Sequence, residues 1–265
     1  MPSVRDTFNK SANRYNRHAL VQSEIAERTE QKLDYITPNT GTILDLGSGT
    51  GLMTEKIVSR FPESRIICLD FAQKSLIKNN SSLKICADAN KIPLADNSID
   101  IVVSNLMMQW CTDLDNVFKE CYRVLNSDGL FLFSTFGPDT LKELKKSWSV
   151  VDDKVHVNTF TDMHDIGDIL LDNYFQSPVM EMDTLKIQYQ TVIDLLRDLK
   201  GIGAQTVVER SKSLTGKDKF NAMIKMYETY RMENKIPATY EVIYGHAWKK
   251  SNSLGAIEVN NMNTK

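Results

Sequence analysis

Apolar residues follow helical spacing at the start of the chain and then gather into short runs separated by helical stretches. Over the first 36 residues, apolar positions recur every three or four residues, which predicts two helices that end at residues 37–41. The apolar runs that follow predict strands at Thr42–Leu46, Arg65–Asp70, Leu83–Ala87, Ile99–Ser104 and Leu130–Thr135, with helices at Leu52–Arg60, Gln73 to about Asn79 and Leu114–Leu125. This alternation predicts a parallel sheet covered by helices on both faces.

The pattern changes after Gly137-Pro138. Helices are predicted at Asp139–Trp148, Asp162–Asn173, Val192–Leu199 and Lys219–Asn234, and extended segments at Val179–Leu185 and Tyr240–Trp248. We therefore predict a single domain over residues 1–250, with capping helices at 1–38, a cofactor-binding core at 40–136 and a helical cap insertion at 186–237. The polar residues 251–265 are predicted to be a disordered tail.

Composition narrows the classes of protein. The 265 residues are 42% hydrophobic and carry a net charge of -2, which suits one large α/β domain and argues against a nucleic-acid-binding protein. The four cysteines form no C-x-x-C pair, and no apolar run has the length of a membrane span. We expect a reduced, cytoplasmic protein that acts as a monomer and binds no membrane.

A glycine-rich segment, residues 44–51, follows the first predicted strand and precedes a helix. Its glycines at 47, 49 and 51 differ from the dinucleotide fingerprint, which requires a small residue where this chain has Leu52. Backbone at Gly47, Ser48, Gly49 and Gly51 can lie close to a ligand, and Asp45 offers an acceptor to a cation. S-adenosylmethionine, which carries an ammonium and a sulfonium group, fits this loop better than a pyrophosphate.

Three further strand ends are expected to meet this loop, because open α/β sheets bind ligands beyond the carboxyl ends of their strands. Asp70 is placed to accept both ribose hydroxyls, Ala87-Asp88 to take the adenine amino group, and Asn105 to lie near the reactive methyl. The alternative for each is a turn or helix-capping residue. Met107, Met108 and Trp110 are interpreted as packing residues, and no metal site is predicted.

These segments, together with residues 92–102, resemble the class I S-adenosylmethionine-dependent methyltransferases over residues 40–136. The resemblance implies a Rossmann-like, seven-stranded α/β sheet with helical capping elements at the N-terminus and in the C-terminal half. It also implies that the last strand, Tyr240–Trp248, inserts antiparallel.

Residues 160–168, 178–180, 199–204 and 239–248, with Phe8, Ala12, Tyr15 and Gln22, resemble the malonyl-acyl-carrier-protein O-methyltransferases of biotin synthesis. The resemblance implies a carboxyl O-methyltransferase that methylates the free carboxylate of a malonyl thioester, on acyl carrier protein or on coenzyme A. The methyl ester would prime pimeloyl and biotin synthesis.

Such an acceptor needs no general base, because a carboxyl group with a pKa of roughly 4 is already ionised at neutral pH. It does need orientation, for which Tyr15, His164 and Arg210 are the main candidates, with Arg14 and Tyr240 beside them. Two basic clusters could meet an acidic carrier protein. They are Lys142, Lys145 and Lys146, and Arg210, Lys212, Lys217 and Lys219.

Alternatives remain open from the sequence. The methyl acceptor could be another small carboxylic acid, a quinone precursor or a modified tRNA base. A different class would be a non-catalytic S-adenosylmethionine-binding or scaffolding protein, or a nucleotide-dependent oxidoreductase, which Leu52 disfavours.

Overall fold

The computed structural model describes residues 3–204 and 216–250, in which seven strands form one sheet. The strands are β1 (Thr42–Leu46), β2 (Arg65–Asp70), β3 (Lys84–Cys86), β4 (Ile99–Asn105), β5 (Leu125–Phe136), β6 (Gln176–Tyr189) and β7 (Ile236–Lys249). The helices are α1 (Val4–Ser11), α2 (Tyr15–His18), α3 (Leu20–Gln31), α4 (Leu52–Arg60), α5 (Gln73–Lys78), α6 (Leu114–Val124), α7 (Lys142–Ser149), α8 (Met163–Asp172), α9 (Val192–Gly201) and α10 (Lys217–Tyr227).

The strand order is β3-β2-β1-β4-β5-β7-β6. The first five strands in this order are parallel, and β7 lies antiparallel between β5 and β6. The predicted class and the antiparallel insertion of the last strand are therefore confirmed. The order reverses between β1 and β4, so the carboxyl ends of these strands flank a crevice of the kind that binds ligands in open α/β sheets.

Alternate residues of the central strands pack on opposite faces of the sheet, as the strand geometry requires. Leu44 and Leu46 of β1 join a core cluster that includes Phe118 of α6 and Leu170 of α8. Ile43 joins the opposite cluster with residues of α3 and α4. A third cluster lies beyond β5, where α3, α7, α9 and α10 pack on β7.

Several element bounds differ from those predicted. The N-terminal region holds three α-helices and a 3₁₀ turn, Lys32–Tyr35, instead of two helices, because the chain breaks at residues 12–14 and at Ala19. Residues 126–129, which fall between the predicted helix Leu114–Leu125 and the predicted strand Leu130–Thr135, lie within β5. They form an irregularity there, because β4 pairs with Leu125 and next with Leu130, and Asp128 has a positive φ of 60°. The strand therefore carries a bulge at this point.

The last helix is shorter than predicted. It ends at Tyr227 and is followed by a 3₁₀ turn, whereas the sequence pattern extended it to Asn234. Glu233 and Asn234 both have positive φ, and Met232 and Lys235 exchange backbone hydrogen bonds, so a tight turn leads directly into β7.

Strands β6 and β7 also extend into the segment predicted as a helical cap, taking residues 186–189 and 236–237. The predicted tail, residues 251–265, lies outside the described residues. Within the described ranges, no helix has the length and apolar character needed to cross a membrane.

Candidate functional site

The glycine loop turns sharply between β1 and α4. Gly47, Gly49 and Gly51 all have positive φ, at 77°, 51° and 100°, a conformation that costs other residues energy. The backbone N–H groups of Gly47 and Ser48 donate to the Leu69 carbonyl at 2.8 and 3.0 Å, which ties the loop to β2. A Cβ on Gly47 would overlap with the Met107 side chain, so the loop needs glycine there for space as well as conformation.

Asp70 ends β2 directly beside this loop. Its Oδ2 accepts from the Gly49 N–H at 2.8 Å, and its Oδ1 accepts from the Ala72 N–H at 2.7 Å. Burial raises the pKa of Asp70, although the two backbone hydrogen bonds oppose that rise. Each carboxylate oxygen keeps acceptor capacity, so the group can receive hydrogen bonds from a ligand as well.

Asp45 lies beneath the loop rather than at its surface. Its side chain is fully buried, and Oδ2 accepts from the Thr54 hydroxyl at 2.5 Å. Its Oδ1 has no hydrogen-bond partner. Burial raises the pKa of Asp45 to about 7, partly opposed by the Thr54 hydrogen bond. The buried acid is thus poised to change charge near neutral pH, directly below the loop backbone.

A cavity of about 250 Å³ opens at the carboxyl ends of β1, β2 and β4, and we call it the loop cavity. Of the sequence-predicted residues, the following line it: Tyr15, Gly47, Gly49, Asp70, Ala87, Asp88 and Asn105. Ser48, Gly51 and Asp45 do not line it. Ser48 is buried, Gly51 caps the start of α4, and Asp45 supports the loop from below. These three shape the cavity without forming its wall.

The first two helices form the roof of the loop cavity. The Thr50 hydroxyl donates to Asn16 Oδ1 at 2.6 Å, and the Lys74 N–H donates to Asn9 Oδ1 at 2.8 Å. Phe8 packs edge-on against Trp110, with ring centroids 5.3 Å apart. The N-terminal segment is therefore part of the site, held to the glycine loop and to α5 by side-chain hydrogen bonds.

Tyr15 enters the loop cavity from the same roof, 6.5 Å from Phe8 between ring centroids. Burial, and secondarily the Asp70 carboxyl, raise the pKa of Tyr15. The phenol therefore stays protonated at any physiological pH and can act as a neutral hydrogen-bond donor.

Asn105 ends β4 and connects the sheet to α3. Its Nδ2 donates to the backbone carbonyl of Gln22 at 3.1 Å, and its Oδ1 accepts from the Ser134 hydroxyl at 2.8 Å. Both ends of the amide are engaged within the protein. Asn105 is thus held in place as a wall of the loop cavity and fixes the position of Gln22.

A second cavity, of about 370 Å³, lies against the third core cluster, and we call it the cap cavity. It is mostly apolar, and Trp110 lines both cavities. Its further walls come from α3, α7, α9, α10 and β7, and include Gln22, Gln109, Phe136, Trp148, His156, Phe160, Lys200, Phe220 and Tyr240. The two cavities are neighbours that share one aromatic wall, Trp110, which also packs against Phe8.

Met107 lines the loop cavity and also packs against the core cluster of Phe118 and Leu170, and Met108 is buried in that cluster, as predicted for both. A strand end followed by an aromatic residue could have signalled this position. The side-chain directions after β4 depend on the left-handed backbone at Leu106, which periodicity does not reveal.

His156 is a cap-cavity residue that the sequence analysis did not identify. Its ring stacks on Trp148 with centroids 3.8 Å apart, and Nε2 lies 2.7 Å from Oδ1 of Asp152. Lys219 reaches the other oxygen of Asp152 at 3.0 Å. The hydrogen bonds from His156 and then Lys219 lower the pKa of Asp152. An acid four residues before a histidine was the available signal.

The substrate-orienting candidates fall in different places. Tyr240 lines the cap cavity, and Arg14 donates to the Lys200 carbonyl at 3.3 Å. His164 is exposed in the first turn of α8 and lines neither cavity, so the geometry gives its predicted substrate role no support. Its backbone N–H instead completes the cap by Asp162 at 2.9 Å. Arg210 and Lys212 lie outside the described residues.

The chain is similar to known methyltransferases in sequence. Residues 44–133 match a family described as "Methyltransferase domain". A protein of Gallionella capsiferriformans named malonyl-[acyl-carrier protein] O-methyltransferase is 43% identical, over 93% of this chain and 90% of its own length. A protein of Coxiella burnetii named malonyl-[acyl-carrier protein] O-methyltransferase 1 is 42% identical, over 95% of this chain and 89% of its own length.

Solved structures share the fold. The YcgJ protein from Bacillus subtilis superposes with a TM-score of 0.61 at 15% identity, covering 85% of this chain and 99% of its own. The phosphoethanolamine N-methyltransferase 2 of Haemonchus contortus, solved with phosphomonomethylethanolamine and S-adenosylhomocysteine, gives a TM-score of 0.52 at 18% identity, covering 83% of this chain and 52% of its own. At these identities the likeness carries the fold alone.

Proposed function

This chain belongs to the malonyl-[acyl-carrier protein] O-methyltransferase family, and from this premise we propose that it methylates the free carboxylate of a malonyl thioester with S-adenosylmethionine. The product is the malonyl methyl ester that primes pimeloyl and biotin synthesis. The observation that carries the proposal is the pair of adjacent cavities, a polar one at the glycine loop and an apolar one under the cap, with Trp110 common to both.

The residues of the loop cavity fit S-adenosylmethionine. The Asp70 carboxylate has acceptor capacity left for the ribose hydroxyls, and Gly47 and Gly49 line the cavity with backbone that carries no side chain. Ala87 and Asp88 line the cavity on the side where the adenine is expected. When bound, S-adenosylmethionine supplies an electrophilic methyl group on a sulfonium. The proposal involves no metal ion.

The apolar cap cavity suits the reaction of an anion with a cation. The malonyl carboxylate is ionised at neutral pH, so this chain's residues have no proton to remove. Phe136, Phe160 and Tyr240 present ring surface in place of water, which strengthens the attraction between the reacting charges. Holding the reactants in line can supply roughly 7 to 11 kcal/mol of the barrier.

We assign Tyr15 an orienting role at the loop cavity, because its phenol is a neutral donor beside Asp70. Tyr15→Phe should lower kcat about 10-fold or more and leave the affinity for S-adenosylhomocysteine within about 3-fold, since a lost hydrogen bond to a charged group costs about 1.5–3 kcal/mol. Steady-state kinetics and calorimetry measure the two effects. Unchanged kcat would assign Tyr15 to packing. An equivalent role for Arg210 stays a prediction.

The malonyl group is proposed to arrive on acyl carrier protein in the cytoplasm, and a monomer suffices because one chain forms both cavities. The described cysteines are all free, which suits a reducing compartment. Lys145 and Lys146 lie on α7, with Lys217 and Lys219 on the adjacent α10. Together they offer positive charge near the cap cavity to an acidic carrier, although Lys142 is already paired with Asp139 at 2.8 Å and Lys219 with Asp152 at 3.0 Å.

The test mixes purified protein, methyl-labelled S-adenosylmethionine and malonyl-acyl carrier protein, and follows the mass of the phosphopantetheine arm. Acetyl-acyl carrier protein, which lacks the carboxylate, is the negative control, and malonyl-coenzyme A tests the carrier preference. We expect one methyl group added to the malonyl thioester. Transfer to another small carboxylic acid or to a quinone precursor, with none to either malonyl thioester, would overturn the substrate assignment and keep the methyltransferase assignment.

A further inference from the structure

Gln22 on α3 has a buried side chain whose hydrogen-bonding capacity the described residues do not fully use. The residue is only 6% exposed, and its Oε1 has no hydrogen-bond partner. A buried polar group without a partner costs about 1–3 kcal/mol, so most proteins pair such groups. The carboxamide of Gln22 therefore has hydrogen-bonding capacity that the described residues leave free.

The position of Gln22 is fixed relative to both cavities. Its side chain lines the cap cavity, and its backbone carbonyl accepts from Asn105, a wall of the loop cavity. Trp110 lines the cap cavity together with Gln22 and reaches the loop cavity as well. Gln22 thus lies on the side of the cap cavity that adjoins the loop cavity, where a group that receives a methyl must lie.

Three other polar side chains of the cap cavity, those of Gln109, Thr140 and His156, are already engaged. Gln109 donates to the Leu106 carbonyl at 2.7 Å and accepts from the Thr135 hydroxyl at 3.2 Å. The Thr140 hydroxyl donates to the Glu241 carbonyl at 3.0 Å, and His156 is held by Asp152. Gln22 differs from these three because its carboxamide is buried with one end unsatisfied.

A carboxamide presents an acceptor at one end and two donors at the other. We propose that Gln22 donates from its amide nitrogen to the carboxylate of the substrate and so orients it at the junction of the two cavities. This inference rests on the proposed function for the identity of the substrate. A neutral donor can orient the carboxylate without a full ion pair, which would also stabilise the ground state.

The experiment compares Gln22→Met with Gln31→Met, a control on an exposed position of the same helix. Two probes are titrated into protein saturated with S-adenosylhomocysteine: malonyl-pantetheine, which carries the carboxylate, and its methyl ester, which has nearly the same shape and no charge. For the wild type we expect tighter binding of the acid. Gln22→Met should weaken binding of the acid about 10- to 100-fold and leave binding of the ester within 3-fold, since hydrogen bonds to charged groups are the stronger kind.

Two further measurements distinguish a role of Gln22 in binding the carboxylate from a role in packing. The melting temperature of Gln22→Met should not fall, because an apolar side chain of similar length replaces an unsatisfied amide. Gln22→Glu should weaken binding of the acid more than Gln22→Met does, because two carboxylates repel. Equal loss of acid and ester in Gln22→Met, or no loss of either, would overturn the inference.

The binding comparison needs no turnover, so it is independent of the methyl-transfer assay. A wild-type protein that binds malonyl-pantetheine selectively but transfers no methyl group would overturn the proposed function and leave the role of Gln22 to be decided by the variants. A wild type without preference for the acid over the ester overturns the role of Gln22, whether or not methyl transfer occurs.

Discussion

At the scale of single residues, the site combines buried carboxyl groups with left-handed backbone conformations that favour glycine. Asp45 and Asp70 are both buried carboxyls, yet they are used differently. Asp70 accepts hydrogen bonds from two backbone N–H groups and faces the loop cavity. Asp45 accepts one hydrogen bond, from the Thr54 hydroxyl, and its other oxygen has no hydrogen-bond partner. The Asp70 carboxylate can therefore accept hydrogen bonds from a ligand. Ionisation of the buried Asp45 carboxyl costs free energy, because few groups stabilise its charge.

The pKa of Asp45 predicts a pH dependence of stability. A folded-state pKa of about 7, against 3.8 as the ordinary value, means that the folded protein binds this proton more tightly than the unfolded chain does. The free energy of unfolding should therefore fall as the pH rises from about 4 to 7, by at most about 4 kcal/mol from this group. Asp45→Asn should remove that fall and raise the melting temperature at pH 8. Urea unfolding at several pH values measures it, and parallel curves for both proteins would contradict the assignment.

Gly47 should tolerate alanine far less well than Gly216 does. Gly47→Ala combines a positive φ with overlap against Met107, whereas a Cβ on Gly216 would meet no atom within 4 Å. We expect Gly47→Ala to lower the free energy of unfolding by about 1–3 kcal/mol and to weaken S-adenosylhomocysteine binding at least about 10-fold. Gly216→Ala should leave that binding unchanged. Equal effects of the two substitutions in unfolding and calorimetry would refute the close-approach argument.

At the scale of elements, the N-terminal helices act as the roof of the loop cavity. Asn16 anchors α2 to the glycine loop through Thr50, and Phe8 anchors α1 to Trp110. α1 also contacts α5, through Asn9 and the Phe8 carbonyl, which the Ser75 hydroxyl reaches at 3.4 Å. Short helices held by a few polar contacts can open locally at low cost.

Asn16→Ala should therefore affect ligand binding more than global stability. Loss of the Thr50 hydrogen bond is expected to reduce the free energy that favours the closed position of the roof by about 1 kcal/mol. The affinity for S-adenosylhomocysteine should therefore be about 5-fold weaker. Asn13→Ala, at an exposed position of the same segment, is the matched control. Calorimetry and thermal melts of both variants decide the matter. Asn16→Ala with wild-type affinity would show that the roof is held by its aromatic contacts alone.

How far the sequence predicts these elements depends on the range of the interactions that form them. The central strands were predicted correctly, because residues such as Ile43 and Leu44 alternate between two buried faces within a few positions. The end of α10 was predicted wrongly, because the turn at Glu233 and Asn234 is set by the pairing of β7 with β6.

The cap cavity was the least predictable part of the site. Trp110, Trp148 and Tyr240 come together from three distant segments, so no local periodicity marks them as neighbours. Several residues that line the loop cavity, such as Gly47, Asp70 and Asn105, could be placed together from the sequence, because each lies at the end of a parallel strand and such strands end at the same edge of a sheet.

At the scale of the whole molecule, the loop cavity joins the roof to the sheet, so a ligand there should stabilise the molecule as one unit. S-adenosylhomocysteine at 100 times its dissociation constant is expected to add about 2.7 kcal/mol to the free energy of unfolding. Hydrogen exchange should slow most in α1 and α2, and least in the outer strand β6. Protection confined to the sheet, without change in α1 and α2, would contradict the role of these helices as a roof.

Trp110 gives the two cavities a common partition, and this has a thermodynamic consequence. Any ligand that fixes the indole on one side changes the free energy of filling the other side. By linkage the effect is reciprocal: the methyl donor alters the affinity for the acyl thioester by the same factor by which the thioester alters the affinity for the donor. We therefore expect Trp110 to couple the binding free energies of the two reactants before any bond between them is formed.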